Sequence, residues 1–501
     1  MSISMFAKLP IVFFTALLLF TACGSDPKDN GGVPDPDQPG TVASDVDLFI
    51  TTANGSRKFF HDSIAFNSKP NMSPYTITLN PAESYQVMEG FGAAITGSTC
   101  YNLLKMSVGD RARLLKETFD PVSGMGYSYI RISMGCSDFS LSEFTHCDTK
   151  GIENFALHTE DKTYVIPVLK EILAIRPDIR IMASPWTCPK WMKVNNLTEK
   201  KPFDSWTSGQ LNPAYYQDYA TYFVKYIEAM KSEGINITSV TIQNEPLNRY
   251  NSASLYMTWQ EQRDFIKTAL GPAFRSAGIQ SKIIVYDHNY NYDADRAENK
   301  DQIDYPLHIY SDPEAAQYID GAAYHAYGGD KSELADVHAR NTSKNLYFTE
   351  ISIGSWGYSF ADDLMWNMNE VCLGTINNWA KAVIVWNFML DANHGPNRPG
   401  GCTTCYGAID IQSDYKTMTR NSHYYTIGHL AKVVAPGAKR IATTGYKATG
   451  LYYAAFVNPD ASYAAVMQND TDKPLNITLA DGSHTFTFEV SAKSVVSVKW
   501  K

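Results

Sequence analysis

The chain of 501 residues is 44% hydrophobic and 19% charged, a composition typical of a globular protein with room for a large barrel and an accessory domain. Its net charge of −9 and the lack of a basic run exclude a phosphate-tracking surface, so nucleic acid is not expected as a partner. The aromatic content of 13% fits either a large core or a cleft whose rings stack on sugars.

Residues 1–22 are predicted to be a lipoprotein signal peptide. Lys8 precedes an apolar run over residues 11–20 that is too short to span a bilayer. Small residues then lead to Cys23, as in a bacterial lipobox, although Phe20 stands where Leu is usual. Cleavage before Cys23 would leave a lipidated cysteine, and a plain secretory signal is the alternative. We therefore expect an exported lipoprotein of the outer membrane whose only membrane contact is its lipid anchor.

The remaining chain divides into four segments by composition and patterning. Residues 23–44 are rich in Gly, Pro and Asp, which predicts a flexible tether. Residues 45–85 and 425–501 carry short β-type runs between Asn, Asp and Gly turns, and they predict one antiparallel β-sandwich built from both chain ends. Residues 86–424 are predicted to form the catalytic barrel.

Short apolar runs alternate with longer helical segments throughout residues 86–424, which is typical of βα units around a parallel sheet. Eight such runs predict an α/β fold of the (β/α)8 TIM-barrel type. The runs cover residues 86–92, 129–133, 179–183, 239–243, 282–286, 321–324, 345–349 and 382–386.

The cysteines argue against a metal centre. Without Cys23 seven remain, so at least one thiol should be free. Cys402 and Cys405 have CxxC spacing, but the sequence has neither a second CxxC nor a paired His cluster, so neither a metal nor a cofactor is expected. A local disulfide is the preferred interpretation in an exported chain, and two buried thiols are the alternative.

Polar or aromatic residues follow nearly every predicted barrel strand, and TIM-barrel active sites lie at these carboxyl ends. Asp287-His288-Asn289 follows the fifth run in this way. Such an edge offers the carboxylates, amides and rings that a neutral polyol needs. The candidate site residues are Asp138, Trp186, Asn244, Glu245, His325, Tyr327, Glu350 and Trp386.

Two of these candidates form a carboxylate pair. Glu245 ends the fourth strand and Glu350 the seventh, so their side chains can face each other across the barrel mouth. Glycoside cleavage needs such a pair, one as acid and the other as nucleophile or as base toward water. The alternative is that each glutamate forms a structural salt bridge. Asn244, just before Glu245, is suited to bonding a sugar 2-OH.

Nine short motifs, in this order, resemble those of glycoside hydrolase family 30, whose members include glucosylceramidases and β-1,6-glucanases. They cover residues 85 to about 430 and are specific when taken together. The motifs are Gly90-Phe91-Gly92-Ala93-Ala94-Ile95-Thr96, Tyr129-Ile130-Arg131, Asp138-Phe139-Ser140, Ala183-Ser184-Pro185-Trp186, Pro189-Lys190-Trp191-Met192-Lys193, Gln243-Asn244-Glu245-Pro246, Thr349-Glu350, Trp386-Asn387 and Gly395-Pro396-Asn397.

The resemblance implies a barrel fused to a β-sandwich and a retaining mechanism. It implies Glu245 as acid/base and Glu350 as nucleophile, with Tyr327 near the nucleophile and Arg131 behind it holding a carboxylate ionised. Beside that charge, we expect Glu350 to be ionised and Glu245 to be kept protonated by the negative charge of Glu350.

The resemblance also places sugar-binding residues around the pair. Asp138 and Trp186 would contact the reacting sugar, Asn244 its 2-OH, and Trp386 would lie beneath the ring. His325, which follows the sixth strand, is added as a substrate-binding candidate from its position alone.

The sequence constrains the substrate less than it constrains the catalytic residues. Ala326 stands where the glucosylceramidase pattern carries a bulky aromatic, and Gly97-Ser98 replaces an Asp-Ala pair. We expect a β-1,6-glucanase, with glucosylceramide or another β-glucoside second and β-xyloside or β-fucoside third. A surface glycan-binding lipoprotein without activity is the alternative of another class, but such a protein has no need for glutamates at both strand ends.

Overall fold

A computed structural model of the protein describes residues 44–290 and 297–501. The predicted signal peptide, Cys23 and the tether up to residue 43 lie outside these ranges. No helix in the described part of the chain is long and apolar enough to cross a membrane.

The eight predicted barrel strands form one closed parallel sheet. Each strand pairs with its neighbours in chain order, and the eighth strand returns to the first, with Val383 beside Phe91. The Ile95 amide donates to the Arg131 carbonyl (2.8 Å) and joins the first strand to the second. The TIM-barrel prediction is confirmed, with strands Gly90–Ala93, Tyr129–Ser133, Arg180–Ser184, Ser239–Thr241, Lys282–Asn289, Ile319–His325, Asn345–Glu350 and Ala380–Val385.

Helices connect and cover these strands. The helix after the third strand shows why the sequence forms one: the Asn212 side chain accepts from the Ala214 amide at its start, and Gly234 at φ +83° follows its end. The α-helices are Gly97–Lys105, Val108–Phe119, Ile166–Ile175, Tyr216–Ser232, Trp259–Phe265, Gly271–Ala277, Tyr305–Tyr310, Pro313–Ala316, Ser332–Arg340, Phe360–Trp366, Gly374–Asn377 and Ser422–Val433.

Seven single-turn segments and seven short strands complete the regular structure of the described residues. The 3₁₀ and π segments are Ile152–Asn154, Asp161–Val165, Lys190–Met192, Pro213–Tyr215, Ile266–Leu270, Ala297–Gln302 and Asn367–Leu373. The short strands, all outside the two large sheets, are Lys193–Val194, Gln210–Leu211, Ile353–Gly354, Met389–Asp391, Cys405–Tyr406, Ile409–Ile411 and Met418–Arg420.

Both chain ends build a second sheet of nine strands, as predicted. Its order is Phe60–Ile64, Val46–Thr52, Ser494–Trp500, Tyr463–Asn469, Leu451–Val457, Lys439–Gly445, Thr76–Val87, Leu475–Ala480 and Thr485–Val490. The far edge folds over the middle of the sheet, and the rings of Phe486 and Trp500 meet at 4.9 Å. One pairing departs from the predicted antiparallel pattern, because Thr76–Val87 runs parallel to Leu475–Ala480.

The helix Ser422–Val433 packs between the barrel and the second sheet. Its buried His429 lies 2.8 Å from the hydroxyl of Thr51 and 2.8 Å from that of Ser497, so one ring bonds the first and the last of the described strands. The predicted boundary between residues 424 and 425 falls within this helix.

Candidate active site

A pocket of about 480 Å³ opens among the carboxyl ends of the barrel strands. A larger groove of about 1070 Å³ lies between the second sheet and the barrel, and none of the predicted site residues lines it. The smaller pocket is lined by six predicted residues, namely Asp138, Trp186, Glu245, Tyr327, Glu350 and Trp386, and by Asn248, Asn251, Asn289, Ser352, Trp356, Cys402 and Cys405.

The two predicted catalytic glutamates meet in this pocket. An oxygen of Glu245, an oxygen of Glu350 and a nitrogen of His325 all lie within 4.8 Å of one another. Each glutamate is only 6% exposed. Glu245 adopts φ +46°, and its amide donates to the carbonyl of Asp287 (2.9 Å), which holds it on the rim of the fifth strand.

Three side chains contact the carboxylate of Glu245. His325 Nδ1 lies 3.3 Å from Oε1, while the amides of Asn248 and Asn251 donate to Oε2 at 2.9 and 2.5 Å. The two asparagines were not among the predicted site residues. They belong to the loop after Glu245, where no periodic pattern fixes which side chains turn back toward the strand.

Glu350 is held by a cation on one oxygen and a phenol on the other. Arg131 Nη1 donates to Oε2 (2.5 Å), and the Tyr327 hydroxyl donates to Oε1 (3.0 Å). The Tyr327 hydroxyl also lies 2.9 Å from Oγ of Ser352. The predicted positions of Arg131 behind the nucleophile and Tyr327 beside it agree with these contacts.

Arg131 is fully buried and links several strand ends. Its Nη2 donates to Oδ1 of Asn244 (2.6 Å) and to Oδ2 of Asp287 (2.8 Å), and its Nε donates to Ser184 (3.1 Å). Asn244 therefore uses its oxygen on Arg131, which leaves its NH₂ group to donate to a ligand.

Asp287 is a further site residue, to which the sequence assigned a position but no role. It is fully buried, and besides Arg131 it accepts from the hydroxyls of Thr241 and Thr349 (2.7 Å each) and lies 3.0 Å from Nε2 of His325. A negative charge with four partners is stable in the interior. Burial raises the pKa of Asp287, but Arg131 and His325 outweigh this effect and lower it well below its usual range.

The protonation of Glu245 differs from the expectation. Burial raises the pKa of Glu245, but the hydrogen bond from His325 and the nearby imidazole charges outweigh it and lower this pKa to about 2. Burial also raises the pKa of Glu350, and the charges of His325 and Arg131 offset only part of that rise. The expectation for Glu245 was wrong in the unliganded site because it counted the charge of Glu350 and left out the hydrogen bond from His325.

The proton lies on His325 instead. Burial lowers the pKa of this imidazole, but the charge of Glu350 and the hydrogen bonds to Asp287 and Glu245 prevail and raise it to about 9. At neutral pH His325 and Glu245 therefore share one proton, which resides on the imidazole in the unliganded pocket.

Asp138 is a second carboxyl group with a shifted pKa. Burial, followed by the charge of Glu350, raises its pKa to about 7. Arg398 holds the loop that carries it: its amide and Nε donate to the carbonyls of Asp138 (3.3 Å) and Ser137 (2.7 Å). Arg398 was not predicted, although it directly follows the motif Gly395-Pro396-Asn397.

Two tryptophans line the base of the pocket. The ring centroids of Trp186 and Trp386 are 5.1 Å apart, and the Arg131 guanidinium lies 4.9 and 5.7 Å from them. They are 2% and 3% exposed, so only a small area of each reaches the pocket. Cation–π contact with Arg131 fixes both rings.

Glu245, His325 and Glu350 are also the one group, among the described residues, whose donor atoms are close enough to hold a metal ion. Both nitrogens of His325 already face carboxylates, and the Arg131 guanidinium forms an ion pair with Glu350. These contacts suit proton transfer, and an ion would have to displace them.

The cysteine prediction is confirmed. Cys402 and Cys405 form a disulfide at the pocket rim. Five other cysteines of the described chain carry free, buried thiols, namely Cys100, Cys136, Cys147, Cys188 and Cys372.

A TIM barrel with two buried carboxylates across its mouth is the arrangement that retaining glycoside hydrolases use. The glycosyl hydrolase family 30 TIM-barrel domain matches residues 88–434, and the β-sandwich domain of that family matches residues 437–498. The chain belongs to glycosyl hydrolase family 30, as its motifs predicted.

Relatives in this family carry both of the activities named for it. The chain is 60% identical to the endo-β1,6-glucanase BT3312, with a TM-score of 0.89 over 91% of this chain and 99% of that structure. It is 29% identical to an endo-1,6-β-D-glucanase of Neurospora crassa (92% of this chain, 96% of the relative). It is also 29% identical to the lysosomal acid glucosylceramidase of Mus musculus (85% of this chain, 83% of the relative).

Proposed function

We propose that the protein is a retaining β-1,6-glucanase that cleaves β-1,6-linked glucan by double displacement. The observation that carries the hydrolytic activity is the Glu245–Glu350 pair in the barrel mouth. The β-1,6 linkage is supported by the 60% identity to a structure named as an endo-β-1,6-glucanase.

The spacing of the pair supports retention. Retaining enzymes hold their carboxyl groups about 5–5.5 Å apart, whereas inverting enzymes leave about 6.5–9.5 Å for a water molecule. Oxygens of Glu245 and Glu350 lie within 4.8 Å of each other, which leaves no room for such a water between them.

In the first step Glu350 attacks the anomeric carbon while Glu245 protonates the departing glycosidic oxygen. Arg131 and Tyr327 hold both oxygens of Glu350 and so aim it. The proton reaches Glu245 from His325 Nδ1, which faces Oε1. The glycosidic C–O bond breaks, an ester to Glu350 forms, and the leaving sugar departs with the proton.

In the second step water cleaves the ester. Glu245 is ionised at this stage because it has given its proton to the leaving sugar. It takes a proton from the water that attacks the anomeric carbon, the bond to Glu350 breaks, and the site returns to its starting state. The free NH₂ group of Asn244 is the donor we assign to the sugar 2-OH, and Asp138, Trp186 and Trp386 surround the ring.

The test is a comparison of β-1,6-glucan, an aryl β-glucoside and glucosylceramide as substrates, with the first product anomer followed by NMR. Cleavage of β-1,6-glucan with the β anomer formed first is expected. Glu350→Gln and Glu245→Gln should each lose most turnover on the glucan. Preference for glucosylceramide would replace the substrate proposal, and an α anomer formed first would refute retention.

We also propose that the protein is an outer-membrane lipoprotein anchored through Cys23. The support is the short apolar run that ends in small residues before this cysteine. Labelling of growing cells with a fatty acid should mark the wild type, and Cys23→Ser should abolish the label. A Cys23→Ser variant that still carries lipid would contradict the proposal.

A further inference from the structure

Two large aromatic side chains of the pocket are exposed, and one of them, Tyr327 (45% exposed), is held by its bond to Glu350. Trp356 is 60% exposed and lines the pocket together with Glu350 and Ser352. The other two tryptophans of the pocket, Trp186 and Trp386, are almost completely buried. Trp356 therefore offers the pocket an apolar surface that the protein itself does not cover.

The loop beneath Trp356 is built to hold this ring. A Cβ atom on residue 354 would overlap the six-membered ring of Trp356 and the carbonyl of Thr404, so only glycine leaves space for the ring on the backbone here. The strand Ile353–Gly354 pairs with Cys405–Tyr406, and the Ser355 amide donates to the Thr404 carbonyl (2.9 Å).

The disulfide strengthens the same support. Cys402 and Cys405 close the turn that contains Thr404, and the Asn397 amide donates to the Cys402 carbonyl (3.2 Å). Trp356 thus rests on a strand pair and a cross-linked turn. An exposed ring held in this way is preorganised for a ligand, since little side-chain freedom is left to lose on binding.

We infer that Trp356 is the stacking surface of a second sugar subsite, adjoining the one at the two glutamates. A tryptophan face suits the C–H face of a pyranose ring, and its position on the rim directs it to the neighbouring unit of a glucan chain. This inference rests on the proposed function. In this role Trp356 makes the enzyme prefer longer glucan substrates, so the protein favours oligosaccharides over a single β-glucoside.

The consequence for catalysis is specific. Binding energy from a neighbouring sugar lowers the barrier for a glucan chain, but it contributes nothing to a substrate with one sugar. Removal of the ring should therefore lower kcat/KM on β-1,6-linked gluco-oligosaccharides and leave kcat/KM on β-glucosyl fluoride, which has neither a second sugar nor an aromatic leaving group, nearly unchanged.

The test compares Trp356→Ala with wild type on β-1,6-gluco-oligosaccharides of increasing length and on β-glucosyl fluoride. We expect a loss of about tenfold or more in kcat/KM on the longer substrates, and less than about twofold on β-glucosyl fluoride. Gly354→Ala should give the same selective loss, because it displaces the ring. Trp366→Ala, at a 46% exposed tryptophan of the helix Phe360–Trp366, is the control and should match wild type.

Two outcomes are distinguishable from each other. If wild type cleaves β-1,6-linked substrates and Trp356→Ala affects long and short substrates equally or not at all, the subsite is refuted and the proposed function stands. If wild type does not cleave these substrates, the proposed function itself fails. Thermal unfolding of each variant shows whether an equal loss reflects misfolding, and Trp356→Phe, which keeps a ring, should recover most of the long-substrate rate.

Discussion

The Nε2 of His325 lies 3.0 Å from Oδ1 of Asp287, while Nδ1 of the same ring lies 3.3 Å from Oε1 of Glu245. One imidazole thus joins a fully buried carboxylate to the proposed acid/base. Asp287 raises the proton affinity of the ring, so the ring holds the proton that Glu245 needs. Substrate hydrolysis should depend on this second carboxylate, although it does not line the pocket.

The pH dependence of kcat/KM should have an alkaline limit set by His325. Its pKa is raised to about 9, so as pH rises through this value the pair of His325 and Glu245 loses its proton and the leaving oxygen can no longer be protonated. The acid limit should lie above the ordinary range of a glutamate, because the pKa of Glu350 is raised. Both limits are tested by measuring kcat/KM from acid to alkaline pH on a substrate with a poor leaving group.

A variant tests whether His325, and not another titrating group, sets the alkaline limit. In His325→Gln the proton must sit on Glu245 alone, so the alkaline limit should move down by about one pH unit or more. Ser352→Ala, which removes only a hydroxyl beside Tyr327, should keep the wild-type limit. An alkaline limit that stays in place in His325→Gln would show that another group sets it.

Asp287→Asn should destabilise the protein strongly. The substitution keeps the shape but removes the charge that Arg131 and His325 share, and removal of one partner of a buried ion pair costs about 3–5 kcal/mol. The free energy of unfolding from denaturant titration measures this loss. Glu233→Gln, which breaks an exposed pair with Lys170, is the matched control and should leave that free energy unchanged. Equal stability of the two variants would contradict the role of Asp287.

Glu245→Ala should slow only the reactions that need its proton. Loss of a general acid costs about 10²–10⁴-fold in rate on substrates with poor leaving groups. Formation of the Glu350 ester from a substrate with a good leaving group should survive, because no proton is needed there. Azide should then restore turnover and give a β-glycosyl azide. An α-configured azide product would count against double displacement.

Arg398→Ala should loosen the loop of Asp138. Arg398 is 2% exposed, donates to the carbonyl of Ser137 and to the hydroxyl of Ser252 (3.0 Å), and pairs with Glu143 (3.1 Å). Without it, buried acceptors lose their partner at a cost of about 1–3 kcal/mol each, and kcat/KM should fall with stability. Arg420→Ala, which breaks a pair with Glu117 outside the pocket, should lose stability without a selective loss of activity. Wild-type kcat/KM in Arg398→Ala would refute the positioning role.

The barrel and the glutamate pair were predictable because both depend on local sequence. Apolar β-type runs mark the buried strands, and the residue after each run falls at the barrel mouth. The strand Phe60–Ile64 was missed because four of its five residues are exposed, so it has no apolar alternation. The strand Lys439–Gly445 was missed as well, since only two of its residues are buried.

The parts of the site that escaped prediction depend on contacts between distant segments. Asp287 acquires its role from Arg131, Thr241, His325 and Thr349, which lie on four other strands. No pattern in the sequence around residue 287 encodes these partners. The reversed protonation of Glu245 has the same origin, because it depends on a ring that the sequence places only near the rim.

The pairing of Val46–Thr52 with Ser494–Trp500 sets the order in which the chain can fold. A chain that is synthesised from its amino end presents Val46–Thr52 long before its partner is available. The barrel can close on its own strands, but the nine-stranded sheet must wait for the last residues. Completion of this sheet therefore requires Ser494–Trp500, and a chain truncated before residue 494 would keep an open edge on both flanking strands.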